Sequence, residues 1–308
     1  MISKVKETLN KARKIAENPK YKKAFNSVAQ ENNLLIVYDV EGLVPASTLL
    51  NLFLTLKPTT NITLIPLEIF YSVQAPYFSK PTIVFLTDVK NAPRASDTLR
   101  ILSIPHIVFI PKIPQNFPLH KEGFKIIELP EGMSTEELVF TEMMASTLML
   151  LKTLSTTEKR IEKVQEEVLT IESIVEDLLE HYREECDEII DLLNSNNDAI
   201  LLYTELLKPI AQYLYYKISL SSRRKPLLMM PLDLIVKYTS ITLPNNIIVL
   251  RTGMEEEKFR AFKVRFGLQL KSRKVIDVGV KTDPLTVPYY AFIILWHILD
   301  NLKLQVDM

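Results

Sequence analysis

A short stretch of basic and hydroxyl-bearing residues follows the third predicted strand of the chain. Thr87 ends that strand and a predicted helix begins near Ser96, so Lys90 and Arg94 lie just before a helix N-terminus. The unpaired N–H groups and partial positive charge of a first helical turn favour an anion. The stretch therefore predicts an anion site, with these candidate ligands: Thr87, Lys90, Asn91, Arg94, Ser96 and Thr98.

The same stretch has a second interpretation that involves no ligand. Ser96 can cap the helix with its own hydroxyl, while Lys90 and Arg94 remain solvated. The carboxylates of Asp88 and Asp97 would also oppose a bound anion. Both interpretations stay open at this stage.

A second basic cluster follows a predicted helix at Leu206–Ser221. Its positive charges could bind an anion, but they could equally stabilise the negative C-terminal end of their own helix. The cluster comprises Ser219, Ser221, Ser222, Arg223, Arg224 and Lys225.

Motif searches predict neither a metal site nor a cofactor. The four histidines, His106, His120, His181 and His297, are not spaced like metal ligands. No glycine-rich nucleotide loop and no G-x-S-x-G motif occurs. Cys186, the only cysteine, lies at an apolar helix position, so we expect an inert thiol and no internal disulfide.

Composition excludes several classes of protein. The 308 residues are 47% hydrophobic, with 37 basic and 37 acidic side chains, which is typical of a globular protein and argues against a nucleic-acid partner. Met1–Lys23 is lysine-rich and has no apolar run, so it predicts no signal peptide. The longest apolar run, Val287–Leu299, is too short to cross a bilayer. We expect a cytoplasmic protein that does not bind membranes.

The elements that must position these residues alternate between short apolar strands and amphipathic helices. One long stretch, Ser155–Asn197, contains neither Gly nor Pro and carries an apolar stripe at helical spacing. Similar strand and helix orders lie on both sides of it. We therefore predict an α/β protein with two tandem, doubly wound, flavodoxin-like parallel-sheet domains, 1–155 and 156–308, in which the stretch is a helical linker. Ligands of such sheets bind beyond the carboxyl ends of strands, here after Tyr38, Thr87, Leu129, Tyr203 and Leu250.

Two segments are similar to parts of a known family. Residues 129–151 (LPEGMSTEELVFTEMMASTLMLL) resemble the loop and helix that close the first domain of double-SIS-domain (sugar isomerase) proteins. Residues 275–300 (VIDVGVKTDPLTVPYYAFIILWHILD) resemble the end of the second domain. The resemblance implies SIS-like domains, a phosphorylated sugar as ligand, pairing into a homodimer, and Ser134 and Thr135 as further substrate-binding residues.

The resemblance also implies catalytic residues that this chain lacks. Phosphosugar isomerases of this family carry a Glu base and a ring-opening His in the second domain, and the alignment places Leu220 at the position of the base. No Glu occurs between Glu205 and Glu255, and no His between His181 and His297. Because isomerisation needs a positioned proton-transfer group, we expect a protein that binds a phosphorylated sugar or related carbohydrate derivative, with isomerase chemistry lost or altered.

Two alternatives remain. One is an active phosphosugar isomerase, of the aldose–ketose, phosphoglucose/phosphomannose or glucosamine-6-phosphate type, whose acid and base residues come from elsewhere. The candidates for that role are Glu131, Glu136, Glu205 and His297. The other is a purely structural protein that only dimerises.

Overall fold

The computed structural model describes residues 1–74, 80–102, 105–113, 125–154, 159–195, 197–220, 227–237 and 242–302. Several residues named in the predictions lie outside or at the edge of these ranges: His120, 221–225, and the ends of the predicted linker at Ser155 and Asn196–Asn197. Contacts divide the chain into two compact units, Ile2–Glu172 and Ser173–Met308. We call them the N-terminal and C-terminal units and describe each by itself.

The N-terminal unit contains a five-stranded parallel sheet in the order β2-β1-β3-β4-β5. Its elements in chain order are α1 (Ile2–Glu17), α2 (Pro19–Ala29), β1 (Asn33–Tyr38), α3 (Leu43–Leu56), β2 (Asn61–Pro66), α4 (Leu67–Ile69), β3 (Thr82–Phe85), α5 (Ala92–Leu102), β4 (His106–Pro111), β5 (Lys125–Leu129) and α6 (Thr135–Thr153).

Both faces of this sheet are buried, as continuous apolar strands predict. Alternate residues of the inner strands, such as Leu35, Val84 and Val108, pack in one core with Ala95 and Leu99 of α5. Ser134 accepts a hydrogen bond from the N–H of Glu137, whose carboxylate accepts one from the N–H of Ser134. This capping box begins α6 where its sequence signature predicts it.

The predicted linker is two helices, α7 (Lys159–His181) and α8 (Arg183–Asn194), and not one. Tyr182 leaves helical geometry with φ −103° and ψ 18°, and its buried hydroxyl donates to the carbonyl of Gly279 at 2.8 Å. The break coincides with this long-range contact, and no Gly or Pro marks it in the sequence.

The C-terminal unit contains a four-stranded parallel sheet in the order β7-β6-β8-β9. After the end of α7 and α8, its elements are β6 (Ala199–Tyr203), α9 (Lys208–Ser219), β7 (Leu228–Pro231), α10 (Leu232–Lys237), β8 (Asn246–Thr252), α11 (Glu256–Leu270), β9 (Lys274–Val280) and α12 (Val287–Asn301). Helix α10 was not predicted from the sequence, because it is too short to show a helical period. The α/β class and two parallel sheets are confirmed.

The apolar helix α12 is almost entirely buried, with Trp296 and Tyr289 among the largest enclosed side chains. In the part of the chain that the structure describes, no helix is both long and apolar enough to span a membrane.

Candidate functional site

Asp39 lies at the carboxyl edge of the N-terminal sheet and occupies the crevice between β1 and β3. It follows β1 directly, at the point where the chain order reverses between β1 and β3, which is where open α/β sheets bind ligands. Its buried carboxylate accepts five hydrogen bonds at 2.8–3.2 Å. The donors are the N–H groups of Gly42, Thr87 and Asp88, the hydroxyl of Thr87 and the amide of Asn91.

The carboxylate thus takes donors that a bound anion would use. Thr87 and Asn91, two residues of the predicted anion site, are brought together here, but around the protein's own Asp39. Burial raises the pKa of Asp39, while these hydrogen bonds act in the opposite direction. A second negative charge at this position would be repelled whenever Asp39 is ionised.

A single glycine lets the turn close on this carboxylate. A Cβ on Gly42 would lie 2.8 Å from the carbonyl oxygen of Phe85 and 2.9 Å from Oδ1 of Asp39. The turn Asp39–Gly42 therefore needs glycine for a close approach within the protein itself.

The helix expected near Ser96 begins at Ala92, after a short 3-10 turn at Val89–Asn91. Pro93 stands in the first turn, where its missing N–H costs nothing, so it marks the helix start and not a loop. Ser96 is therefore neither a cap nor a first-turn donor. The expected helix start near Ser96 was therefore wrong, because the helix already begins at Ala92.

The remaining predicted site residues are spread over different surroundings. Lys90 and Arg94 are exposed, whereas Ser96 and Thr98 are buried within α5. The hydroxyl of Thr98 donates to the carbonyl of Arg94 at 2.8 Å. Ser134 is a capping residue, and Thr135 is the first residue of α6. Whether any of them binds an anion stays a prediction.

Glu142 on α6 is buried near the same crevice. It has no solvent exposure, and among the described residues neither carboxylate oxygen has a hydrogen-bond partner. Burial, reinforced by the charges of Asp39 and Glu41, raises the pKa of Glu142 well above its ordinary value of 4.5. The neutral acid is thus the form that the fold favours.

Replacing Glu142 by leucine should stabilise the protein, because the buried unpaired acid is removed. Because the pKa of Glu142 is raised in the folded state, the stability that goes with its neutral form is fully present below about pH 4.5. That stability is lost as the pH rises through the folded-state pKa. We expect Glu142→Leu to raise the free energy of unfolding at pH 8 by about 1–3 kcal/mol. Urea denaturation at pH 5 and pH 8 measures this gain, which should be larger at pH 8. An equal loss at both pH values would contradict the prediction.

The C-terminal sheet has a different residue at the equivalent position. Tyr38 pairs with Phe85, and Tyr203 pairs with Leu250, so Thr204 corresponds to Asp39. The buried hydroxyl of Thr204 has no hydrogen-bond partner among the described residues. The carboxylate that fills the first crevice therefore has no counterpart in the second.

A cavity of about 390 Å³ lies at the carboxyl edge of the C-terminal sheet. Its apolar surface comes from Ile174, Leu178, Val280 and Tyr290, and its charged or polar groups are Asp177, His181 and Lys281, beside Tyr182. Asp177 and His181 are four residues apart on α7, so they share one helix face. Lys281 follows the last residue of β9.

These three polar groups are available to a ligand. They are exposed, and the described residues offer no ion-pair partner to the ammonium of Lys281 or the carboxylate of Asp177. The stem of Lys281 lies across Gly253, where a Cβ would be 3.0 Å from its Cγ. The imidazole of His181 packs edge-on against Tyr182 at 4.7 Å between ring centroids.

This cavity was not predicted from the sequence, because the loop after β9 was not among the predicted ligand loops. The visible signals were the i, i+4 spacing of Asp177 and His181 and the lysine directly after a strand. Which helix face meets which strand end depends on the tertiary packing.

The alternative acid and base candidates do not line the cavity in the described part of the chain. Glu131 forms an exposed ion pair with Lys112 at 2.9 Å, and Glu205 is an exposed residue of a 3-10 turn. Glu136 is in the first turn of α6. His297 is on α12, where burial lowers its pKa.

The thiol of Cys186 is buried, and burial raises its pKa to about 12. It is therefore protonated and unreactive at neutral pH. Among the described residues, no group of three or more His, Cys, Asp or Glu side chains is placed to hold a metal ion.

No family model and no curated protein matches the sequence. The fold matches solved structures. The C-terminal domain of glucosamine-fructose-6-phosphate aminotransferase from Francisella tularensis aligns with a TM-score of 0.70 at 14% identity, over 100% of this chain and 96% of that one.

Tagatose-6-phosphate ketose/aldose isomerase from Escherichia coli aligns with a TM-score of 0.61 at 9% identity, over 97% of this chain and 92% of that one. At such identities the likeness concerns the fold. The chain therefore has the tandem, double-SIS-like fold of phosphosugar isomerase structures.

Proposed function

We propose that the protein binds a phosphorylated sugar, or a related carbohydrate derivative, in the cavity of the C-terminal unit, without isomerising it. The observation that carries the proposal is an apolar cavity at the carboxyl edge of the sheet, lined also by Lys281, Asp177 and His181. About 390 Å³ is within the range of small-molecule sites.

Each group has a role suited to such a ligand. The Lys281 ammonium provides up to three donors for a phosphate. Asp177 accepts hydrogen bonds from sugar hydroxyls, and His181 can accept or donate them. The ring of Tyr290 and the aliphatic side chains offer an apolar surface to the C–H face of a sugar ring.

The proposed lack of isomerisation is supported by the sequence positions of proton-transfer groups. Residues 206–254 contain neither Glu nor His. A second candidate function, isomerisation itself, is favoured by one observation: His181 and Asp177 both line the cavity, and side chains of these types can transfer a proton. An isomerase assay distinguishes the two functions.

The predicted homodimer remains a proposal. Its motivation was the apolar stripe of the linker, and the structure buries much of that stripe within the chain, including Ile161, Val164 and Ile171. A cytoplasmic location also remains an expectation.

Replacing Lys281 by methionine should weaken sugar-phosphate binding at least tenfold, because a charge-assisted hydrogen bond is lost, at about 1.5–3 kcal/mol. Calorimetric titration with fructose 6-phosphate and glucosamine 6-phosphate measures this. Lys274→Met is the matched control, since Lys274 begins β9 at the opposite edge of the same sheet and pairs with Glu188 at 3.4 Å.

Arg94→Ala and Lys90→Ala test the loop of the N-terminal unit in the same titration, and both should bind as the wild type does. A loss confined to these two variants would move the site to that loop. Wild-type protein that binds neither sugar phosphate would overturn the proposed function. Turnover that disappears in His181→Gln would establish the isomerase alternative.

A further inference from the structure

A second cavity, of about 280 Å³, lies in the N-terminal unit between α2 and β5. Lys125 is the first residue of β5, so the cavity is at the amino edge of the sheet, opposite the edge where ligands of open α/β sheets usually bind. Its described lining residues are Lys20, Tyr21, Lys23, Ala24, Ser27, Lys125 and Ile126. We call it the basic cavity.

Three lysines line the basic cavity, and no Asp or Glu is among the lining residues that the structure describes. Lys20 and Lys23 are exposed and have no ion-pair partner in the described ranges. The ammonium of Lys125 donates to the hydroxyl of Ser27 at 2.8 Å, which ties β5 to α2 at this point.

The charge around the cavity contrasts with that of the whole chain. Residues 1–30 contain eight Lys and Arg but two Asp and Glu, whereas the complete sequence has no net charge. Such a local excess raises the concentration of anions at this surface.

The cavity also has an apolar wall, made by Tyr21, Ala24 and Ile126 and by the lysine stems. The phenol of Tyr21 is half-buried; burial and the charge of Glu128 raise its pKa, and it hydrogen-bonds to the backbone of Glu128. The tyrosine ring is thus held in place beside the ammonium groups. A cavity of this composition suits a ligand with both a phosphate and a flat ring.

We propose that the basic cavity binds a compact aromatic phosphate, of which a nucleoside monophosphate is the type. The phosphate contacts the ammonium groups of Lys20 and Lys23, and the ring lies on the wall formed by Tyr21 and Ile126. This site is separate from the proposed sugar-phosphate cavity, which is in the other unit.

The test is a titration of the full chain with AMP and UMP, with inorganic phosphate as the probe that lacks a ring. We expect saturable nucleotide binding that weakens as salt is added and is at least fivefold tighter than binding of inorganic phosphate. The double variant Lys20→Met/Lys23→Met should weaken nucleotide binding at least tenfold.

The double variant Lys14→Met/Lys22→Met is the matched control. It removes the same charge from α1 and α2, but neither residue lines the cavity, so binding should change less than twofold. If the two double variants lost nucleotide affinity equally, binding would reflect only the general positive charge of this surface, and the proposal would be overturned. Failure of every nucleotide to bind, or equal affinity for inorganic phosphate, would overturn it as well.

Sugar-phosphate affinity, measured in parallel, should be unchanged in Lys20→Met/Lys23→Met. If that variant lost the sugar phosphate and not the nucleotide, the basic cavity would be the sugar-phosphate site and this inference would be wrong. Lys281→Met should leave nucleotide binding intact, which keeps the two proposals separable.

Discussion

Asp39→Ala should lower the free energy of unfolding of the N-terminal unit by about 3–5 kcal/mol, as expected when a buried, charged hydrogen-bond network is broken. The carboxylate has five donors, and three of them are backbone N–H groups that alanine cannot satisfy. Each unsatisfied buried donor costs about 1–3 kcal/mol before relaxation. Urea denaturation followed by circular dichroism measures the loss.

Asp88→Ala is the matched control for this experiment. Asp88 is exposed in the same loop, and its carboxylate accepts from the N–H of Lys90 at 2.9 Å. Removal of such a cap costs about 0.5–2 kcal/mol. A loss of under 1 kcal/mol in Asp39→Ala would show that the donors find other partners, and the crevice would then be open to a ligand.

Asp277→Ala should lower the free energy of unfolding of the C-terminal unit by about 3 kcal/mol, because it leaves a buried guanidinium without its counter-charge. Arg251 is 6% exposed and makes two parallel hydrogen bonds to Asp277, at 2.8 and 2.9 Å. Its guanidinium also lies 4.8 Å from the ring centroid of Phe259. Thermal and urea denaturation both report the loss.

Replacing both charged residues by apolar ones should recover much of the stability that Asp277→Ala loses. Arg251→Met combined with Asp277→Leu removes both charges, and replacing a buried ion pair by apolar residues is often close to neutral. Asp233→Ala is the control, since Asp233 pairs with Lys258 at an exposed position where ion pairs contribute less than about 1 kcal/mol. A double variant as unstable as Asp277→Ala would contradict this account.

Gly279 shows how closely the ion pair is packed. A Cβ at this position would lie 2.9 Å from Cζ of Arg251, so the guanidinium occupies the space that a side chain would need. The carbonyl of Gly279 also accepts the hydrogen bond from Tyr182 at the break between α7 and α8. This glycine therefore connects the ion pair to the end of the helix that carries His181.

Many of the strands could be predicted from residues alone because they are apolar runs between polar segments. The predicted strand ends at Leu129 and Tyr203 are those of β5 and β6, and the apolar helix at the chain's end was equally visible. Such elements depend on local hydrophobic pattern and length, which a sequence displays directly. The capping box at Ser134 and Glu137 is local in the same way.

The candidate site could be predicted only in part. The loop after β3 was identified as polar and positioned at a strand end, but its partner Asp39 is 48 residues from Thr87 in sequence. The basic cavity and the cavity at Lys281 likewise join residues from elements that are distant along the chain. No local pattern encodes such pairings.

The sequence by itself therefore determined the α/β class, the two parallel sheets and the lack of a Glu or His in residues 206–254. Only the tertiary structure decided that Asp39 fills the first crevice, that Tyr182 interrupts the linker, and that Asp177, His181 and Lys281 share a cavity. The physical reason is the range of the interactions. A hydrophobic period is visible within a few neighbouring residues, whereas the donors to a buried carboxylate and the walls of a cavity depend on packing between distant elements.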